Sequence, residues 1–182
     1  MGHRENLLTA ARECLLKTGY ARTTVRDLVA ASGANQASIN YHFGSKDQLL
    51  TGALHDLNAE WGELLFAVLD APAAGHEERW ERIIGSIRES RELWFVNFES
   101  VSYLQHDEQV RAMTAEAQRQ ARIALANAFG GLGPAADPDD VRVVGAHYYS
   151  LLVGTALQWL TSPGDAPSAA DIVRADTARR SA

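Results

Sequence analysis

Apolar residues recur every three or four positions along most of this chain, which is the spacing of one face of an α-helix. Convincing alternation with a period of two, the pattern of a half-buried strand, is missing. The pattern therefore predicts an all-α protein. The predicted helices cover residues 3–18, 24–31, 35–41, 45–69, 77–89, 91–105, 107–129, 139–161 and 168–180.

Two short helices near the N-terminus are separated by Gly33, which can adopt the positive φ that a sharp turn needs. Thr24 and Asp27, three residues apart, form a variant of the capping box that begins the first of them. Either Asn35 or Ser38 can begin the second. Two short helices joined by a tight turn are typical of a helix-turn-helix unit that reads the DNA major groove.

The second short helix carries side chains that suit DNA bases. Asn and Gln can form paired hydrogen bonds with adenine, Ser can bond several bases, and Ala can touch a thymine methyl group. We therefore expect base contacts from Asn35, Gln36, Ala37, Ser38 and Asn40. Ala37, Ile39 and Phe43 are also available to pack inward.

Phosphate contacts are expected from the residues that follow. Tyr41, His42 and Lys46 suit phosphate better than bases, and Lys46 sits near a helix start, where backbone N–H groups help to hold an anion. Thr24, at the start of the first short helix, completes the set of residues expected to contact DNA.

Several short motifs in this region occur together: Gly19-Tyr20, Thr23-Thr24-Val25, Ser32-Gly33, Tyr41-His42-Phe43-Gly44-Ser45-Lys46-Asp47 and Leu49-Leu50. With them, residues 5 to 55 strongly resemble the TetR/AcrR family of bacterial transcriptional regulators. Asn40 stands where the family often has an aromatic residue, and Ala37 where it often has glycine, so the resemblance leaves the base preference open.

The resemblance implies an N-terminal three-helix DNA-binding domain and a C-terminal helical domain for ligand binding and dimerisation, about nine helices in all. We place the DNA-binding domain at residues 1–46 and the ligand-binding and dimerisation domain at 47–182. The long helix predicted from residue 45 spans roughly 35 Å at 1.5 Å per residue, enough to connect the two.

The charge of the chain is unevenly distributed. The formal net charge is −6, which argues at first against DNA binding, because nucleic-acid-binding domains are usually basic. Residues 1–50, however, carry +2, and residues 51–182 carry −8. A mildly basic N-terminal region predicts modest non-specific affinity, and hence a reliance on dimerisation and direct contacts.

Composition excludes several other classes. A hydrophobic content of 46% with 22% charged residues is typical of a soluble globular protein. Without an apolar run of about 18 residues or a signal peptide, we expect a cytoplasmic protein with no membrane partner. The single cysteine, Cys14, is expected to act as a small buried hydrophobic residue rather than a redox sensor. No catalytic constellation or metal-ligand spacing is visible, so we expect no enzyme activity, cofactor or metal.

Aromatic residues are spread over the rest of the chain, and most such residues belong to a core. The segment Trp94-Phe95-Val96-Asn97-Phe98 is the most pocket-like, because it combines apolar surface with an amide that needs a partner when buried. The family resemblance implies a ligand cavity framed by the fourth to eighth helices. Within it we expect ligand contacts from Trp61, Trp94, Asn97, Phe98, Tyr103, His147, Tyr148 and Gln158.

The helix predicted at 139–161 is apolar on more than one face, so it should be buried on several sides, with a partner subunit as the natural cover. The resemblance implies a homodimer through the last two long helices. Together these features predict a repressor that binds a near-palindromic operator and is released by a small, largely apolar effector. The alternatives are a DNA-binding protein without a ligand, and an all-helical enzyme or carrier.

Overall fold

The computed structural model describes residues 2–101 and 108–180, and no β-strand occurs in those ranges. Their helices are α1 His3–Thr18, α2 Val25–Ser32, α3 Gln36–Phe43, α4 Lys46–Asp70, α5 His76–Glu89, α6 Arg91–Ser100, α7 Glu108–Gly130, α8 Pro138–Thr161 and α9 Ala169–Arg180. The all-α prediction is confirmed, and most helix ends lie within two residues of those expected. The helix predicted at 91–105 ends at Ser100, and residues 102–105 of that prediction lie outside the described residues.

The packing divides the chain into two units. The first combines Met1–Trp61 with Glu92–Met113, and the second combines Gly62–Arg91 with Thr114–Ala182. The division therefore passes through α4 and α7. The domain boundary that we placed between residues 46 and 47 stays a prediction.

The core of the first unit is built where α1 packs against α2 and α3. Leu7 and Leu15 of α1, Leu28 of α2 and Ile39 of α3 are all fully buried. Burying a leucine or isoleucine side chain stabilises a fold by about 1.5–3 kcal/mol. This small core therefore fixes the orientation of α3, which carries the predicted base contacts.

In the second unit, α5 packs against both α8 and α9. Trp80 of α5 is buried, as are Phe129 of α7 and Tyr148 of α8, and the last two rings stack with their centroids 4.6 Å apart. Ile172 brings α9 into the same core. Part of the aromatic content of the chain is thus core, as most aromatic side chains are.

A close approach of α7 and α8 depends on Gly145. A Cβ atom at this position would lie 2.3 Å from the backbone carbonyl oxygen of Arg122, a distance that real side chains do not tolerate. The missing side chain of Gly145 therefore lets the two helices meet here.

None of the helices in the described ranges is long and apolar enough to cross a membrane.

Cys14, which the sequence predicted to be a buried hydrophobic residue, is only half-buried. Burial still raises the pKa of its thiol, and the negative charges of Asp27 and Glu13 raise it further. A raised pKa keeps the thiol protonated and poorly nucleophilic at neutral pH.

Candidate nucleic-acid interface and effector site

The first helix of the helix-turn-helix begins with the predicted capping box. The Thr24 hydroxyl accepts from the Asp27 backbone N–H, and the Asp27 carboxylate accepts from the Thr24 backbone N–H at 2.9 Å. The Thr24 hydroxyl also donates to this carboxylate at 2.6 Å, and these bonds lower the pKa of Asp27. After α2, Gly33 takes up the left-handed conformation at φ 66° that turns the chain toward α3.

Asn35 begins the second helix, which settles the choice between Asn35 and Ser38. The Asn35 side-chain oxygen accepts hydrogen bonds from the Ser38 backbone N–H at 2.9 Å and from the Ser38 hydroxyl at 3.1 Å. Both side chains thus help to hold the first turn of α3. A base contact from either one would have to form in addition to this cap or replace part of it.

The predicted base-contacting residues lie on the outer side of α3. Asn35, Gln36, Ala37 and Asn40 are exposed, and Ser38 is half-exposed. The alternative that Ala37 packs inward is wrong, because the core contact of α3 is made by Ile39. Phe43 is only half-buried, and the Arg4 guanidinium lies 5.2 Å from its ring centroid.

Tyr41 and His42 occupy the end of α3. Tyr41 is 85% exposed, more than any other exposed large hydrophobic residue in the described ranges. Its ring meets the His42 ring edge-on, with centroids 4.9 Å apart. His42 also lines a groove of about 670 Å³ together with Arg4 and Asp47. An aromatic ring so fully in solvent, with a hydroxyl at its tip, suits contact with a phosphate or sugar.

Lys46 at the start of α4 lies beside the start of α2. Its Nζ donates to the backbone carbonyl of Thr23 at 3.3 Å and lies 3.6 Å from the Asp47 carboxylate. The structure therefore brings Lys46 next to Thr24, although the two are 22 positions apart in the sequence. Both residues were expected to contact DNA, but no local pattern in the sequence predicts that they are neighbours.

Two basic residues near this point were absent from the predicted interface. Arg22 precedes α2, and Arg26 lies in its first turn, and both are exposed. Their positions, two residues before and two residues after Thr24, are the sequence signal for them. With Lys46, they place positive charge around the start of α2.

The predicted effector residues fall in both units. In the first unit, Trp61 of α4 and Trp94 of α6 are buried and meet edge-to-face, with ring centroids 5.2 Å apart. Asn97 donates through Nδ2 to the Asn58 side-chain oxygen at 3.2 Å. Phe98 is half-buried, and Tyr103 lies outside the described residues. The structure thus brings Trp61 and Trp94 together.

In the second unit, His147 and Tyr148 share a partner on α9. The Tyr148 hydroxyl donates to the Asp176 carboxylate at 3.4 Å, and His147 Nε2 lies 3.7 Å from the same carboxylate. Gln158 is exposed, and its amide donates to the Gly154 backbone carbonyl. It lines a groove of about 550 Å³ between α8 and α9.

The second unit also contains a smaller cavity of about 210 Å³, and some of the residues that line it were not among the predicted effector contacts. Tyr148 lines it together with His76, Trp80 and Asp176. His76 and Trp80 lie one helical turn apart on α5, a spacing that could have indicated a shared face. No group of His, Cys, Asp or Glu side chains in the described part of the chain could hold a metal ion.

Comparison with known proteins is consistent with this geometry. The profile described as "Bacterial regulatory proteins, tetR family" matches residues 7–53, and the profile described as "BetI-type transcriptional repressor, C-terminal" matches residues 56–180. The HTH-type transcriptional repressor KstR2 of Rhodococcus jostii (strain RHA1) is 37% identical over 76 residues. That match covers 40% of this chain and only 37% of the length of KstR2.

Solved structures share the fold at lower identity. The crystal structure of SCO7518 from Streptomyces coelicolor A3(2) superposes with a TM-score of 0.71 at 22% identity, covering 95% of each chain. The multidrug binding protein EbrR, crystallised with imidazole, gives a TM-score of 0.68 at 22% identity. That superposition covers 92% of this chain and 89% of the EbrR chain.

Proposed function

Because the chain belongs to the TetR family of bacterial regulatory proteins, we propose that it is a transcriptional repressor whose homodimer binds a near-palindromic operator. The observation that carries this proposal is the outer side of α3. There Gln36, Asn40 and Tyr41 stand in solvent on a helix that Asn35 caps and Ile39 anchors. These are the side chains that read adenine edges and hold the DNA backbone.

The other proposed contacts are made to the DNA phosphates. Lys46 and Arg26 place positive charge near Thr24, where the backbone N–H groups at the start of α2 add a partial positive charge. The matched relative KstR2 is named a repressor, which supports repression rather than activation for this chain.

Dimerisation through α8 and α9 is part of the proposal. Val143 and Leu157 are about half exposed on α8, although the same helix buries Tyr148 and Leu152 on its other side. A helix that is apolar beyond its buried face needs a further cover, and a second copy of the chain supplies one. Two-fold symmetry would then place two copies of α3 one DNA turn apart.

We also propose that a small, largely apolar effector releases the operator. Its site lies among the aromatic residues of α4 and α6 or of α5 and α8. EbrR, which shares the fold, is described as a multidrug binding protein. To act, the effector must bind the released form more tightly than the operator-bound form, typically by about 1–3 kcal/mol.

The test is a fluorescence-anisotropy titration of the protein with DNA from upstream of its own gene, against a scrambled duplex. Tyr41→Ala should weaken binding at least tenfold, and Tyr41→Phe should recover much of it if the ring is what contacts DNA. Lys46→Ala should weaken binding to all sequences and lower the salt slope by about one.

The matched control for lost charge is Arg119→Ala, which removes an exposed arginine of α7 in the second unit. It should leave operator affinity unchanged. Equal affinity of the wild-type protein for the upstream and scrambled duplexes, together with no effect of Tyr41→Ala, would contradict the proposed interface.

A further inference from the structure

Two indole N–H groups in the first unit have no hydrogen-bond partner among the described residues. Trp61 is 5% exposed and Trp94 is 1% exposed, and Nε1 of each is buried without an acceptor. Buried tryptophan N–H groups usually have a hydrogen-bond partner, because the desolvation penalty of a buried donor is otherwise not compensated. Because the two side chains touch, one missing acceptor group at this place would account for both donors.

The contact between the two rings cannot satisfy both donors. The ring planes are 89° apart, so one ring presents its edge to the face of the other. In this arrangement only the edge-on ring can direct its N–H at the partner's π system. At least one of the two indole N–H groups thus still lacks an acceptor.

The nearest polar side chains on these helices are engaged elsewhere. Asn58 lies one turn before Trp61 on α4, and Asn97 one turn after Trp94 on α6, and the two amides hydrogen-bond to each other at 3.2 Å. The neighbouring turns thus pair amide with amide and supply no acceptor to the two indole groups.

The surroundings do not favour a charged ligand. No Asp, Glu, Lys or Arg side chain is buried in the described part of the chain. Of the carboxylates on these helices, Glu60 pairs with Arg12 and Glu99 accepts from the Tyr20 backbone N–H. Glu92, two positions before Trp94, is exposed to solvent. Burying a charge without a counter-ion costs far more than burying a neutral polar group.

We propose that Trp61 and Trp94 donate hydrogen bonds to an uncharged effector that is largely apolar and carries an acceptor oxygen, such as a ketone, ester or amide. This inference rests on the proposed effector control and names the chemistry that the site selects. A hydrocarbon would give the indole donors no acceptor, and a cation would find no buried carboxylate among the residues that the structure describes.

The test uses three probes of one shape: 2-acetylnaphthalene, 2-ethylnaphthalene and the cation of 1-(2-naphthyl)ethylamine. In the ¹⁵N-labelled protein the four tryptophans give four indole N–H signals, which single Trp→Phe variants assign. The ketone should move the Trp61 and Trp94 signals downfield. The Trp159 signal should stay in place, because its N–H already donates to the Pro167 carbonyl at 3.0 Å.

Isothermal titration calorimetry on the Trp→Phe variants measures how much each indole donor contributes to the affinity for the probes. Trp61→Phe and Trp94→Phe should each weaken ketone binding about fivefold more than hydrocarbon binding, because both ligands lose the same ring contact and only the ketone loses a donor. Trp159→Phe should change neither. The wild-type NMR titration decides the matter even if a variant does not fold.

Two results would overturn the proposal: Trp61 and Trp94 signals that stay in place up to the solubility limit of the ketone, or a hydrocarbon or amine that binds as tightly as the ketone. Operator affinity is measured separately on the same protein. Absence of operator binding by the ligand-free protein would contradict the proposed function alone, whereas the indole signals report on the ligand chemistry alone.

Discussion

Single residues decide how the proposed DNA-binding surface is presented. Tyr41 keeps its ring in solvent, while Ile39, two positions before it, is buried. The side-chain oxygens of Thr24 and Asn35 each accept a backbone hydrogen bond at the start of a helix, so both residues shape the proposed interface even without touching DNA. Lys46 in turn connects the start of α4 to the backbone before α2.

Removing the cap of α2 should loosen the unit that holds α3. Thr24→Ala is expected to lower the free energy of unfolding by about 1 kcal/mol, because the first turn of α2 loses its acceptor. Thr24→Ser keeps the hydroxyl and should cost much less. Urea denaturation followed by circular dichroism measures both, and an unchanged midpoint in Thr24→Ala would show that the cap contributes nothing.

The same cap predicts a pH dependence. Bonds from Thr24 lower the pKa of Asp27 in the folded protein, so the carboxylate stabilises the fold above the pKa of the unfolded chain. This contribution is lost as pH falls through the lower, folded pKa, in the acid range below about pH 4. Asp27→Asn should flatten that part of the pH–stability curve, and an identical curve for both proteins would contradict the assignment.

At the scale of helices, the sequence predicted local features better than contacts between distant segments. The α2 cap and the turn at Gly33 follow from a few adjacent residues, and both are present. Asn35 and Ser38 remained alternatives, because either residue type favours a helix start. The meeting of Trp61 with Trp94, and of Tyr148 with Asp176, depends on how helices pack, and no local pattern encodes it.

The approach of α7 and α8 provides a prediction at this scale. Gly145→Ala should destabilise the protein by about 1–3 kcal/mol, because the new methyl group meets the Arg122 backbone. Gly85→Ala is the matched control within α5, where an added Cβ meets nothing within 4 Å. It should stabilise the protein by about 0.5–1 kcal/mol through helix propensity. Thermal unfolding of both variants tests the pair, and equal shifts would contradict the close approach.

At the scale of the whole molecule, the proposed operator binding requires two copies of the chain. The basic balance of residues 1–50 is only +2, so one copy would hold DNA weakly by charge alone. Two copies of α3 double the direct contacts and impose a spacing on the operator. The apolar surface left on α8 is the natural place for the second copy.

Leu157 tests this assembly. It is 51% exposed on α8, and Leu157→Asp should convert the dimer into a monomer of 19.8 kDa, because a carboxylate would be buried without a partner. Ile123→Asp alters a residue of α7 that is 47% exposed and should leave the mass unchanged. Light scattering after size exclusion gives both masses, and a dimer in Leu157→Asp would place the interface elsewhere.

Selection of binding sites from random duplex DNA with the purified wild-type protein tests whether a dimer reads DNA through α3. We expect enrichment of near-palindromic sites whose half-sites lie about 10 base pairs apart, centre to centre, or a multiple of this. The same selection with Tyr41→Ala should enrich such sites poorly. No enrichment with the wild-type protein, or enrichment of single unpaired half-sites, would contradict a dimer that reads DNA through α3.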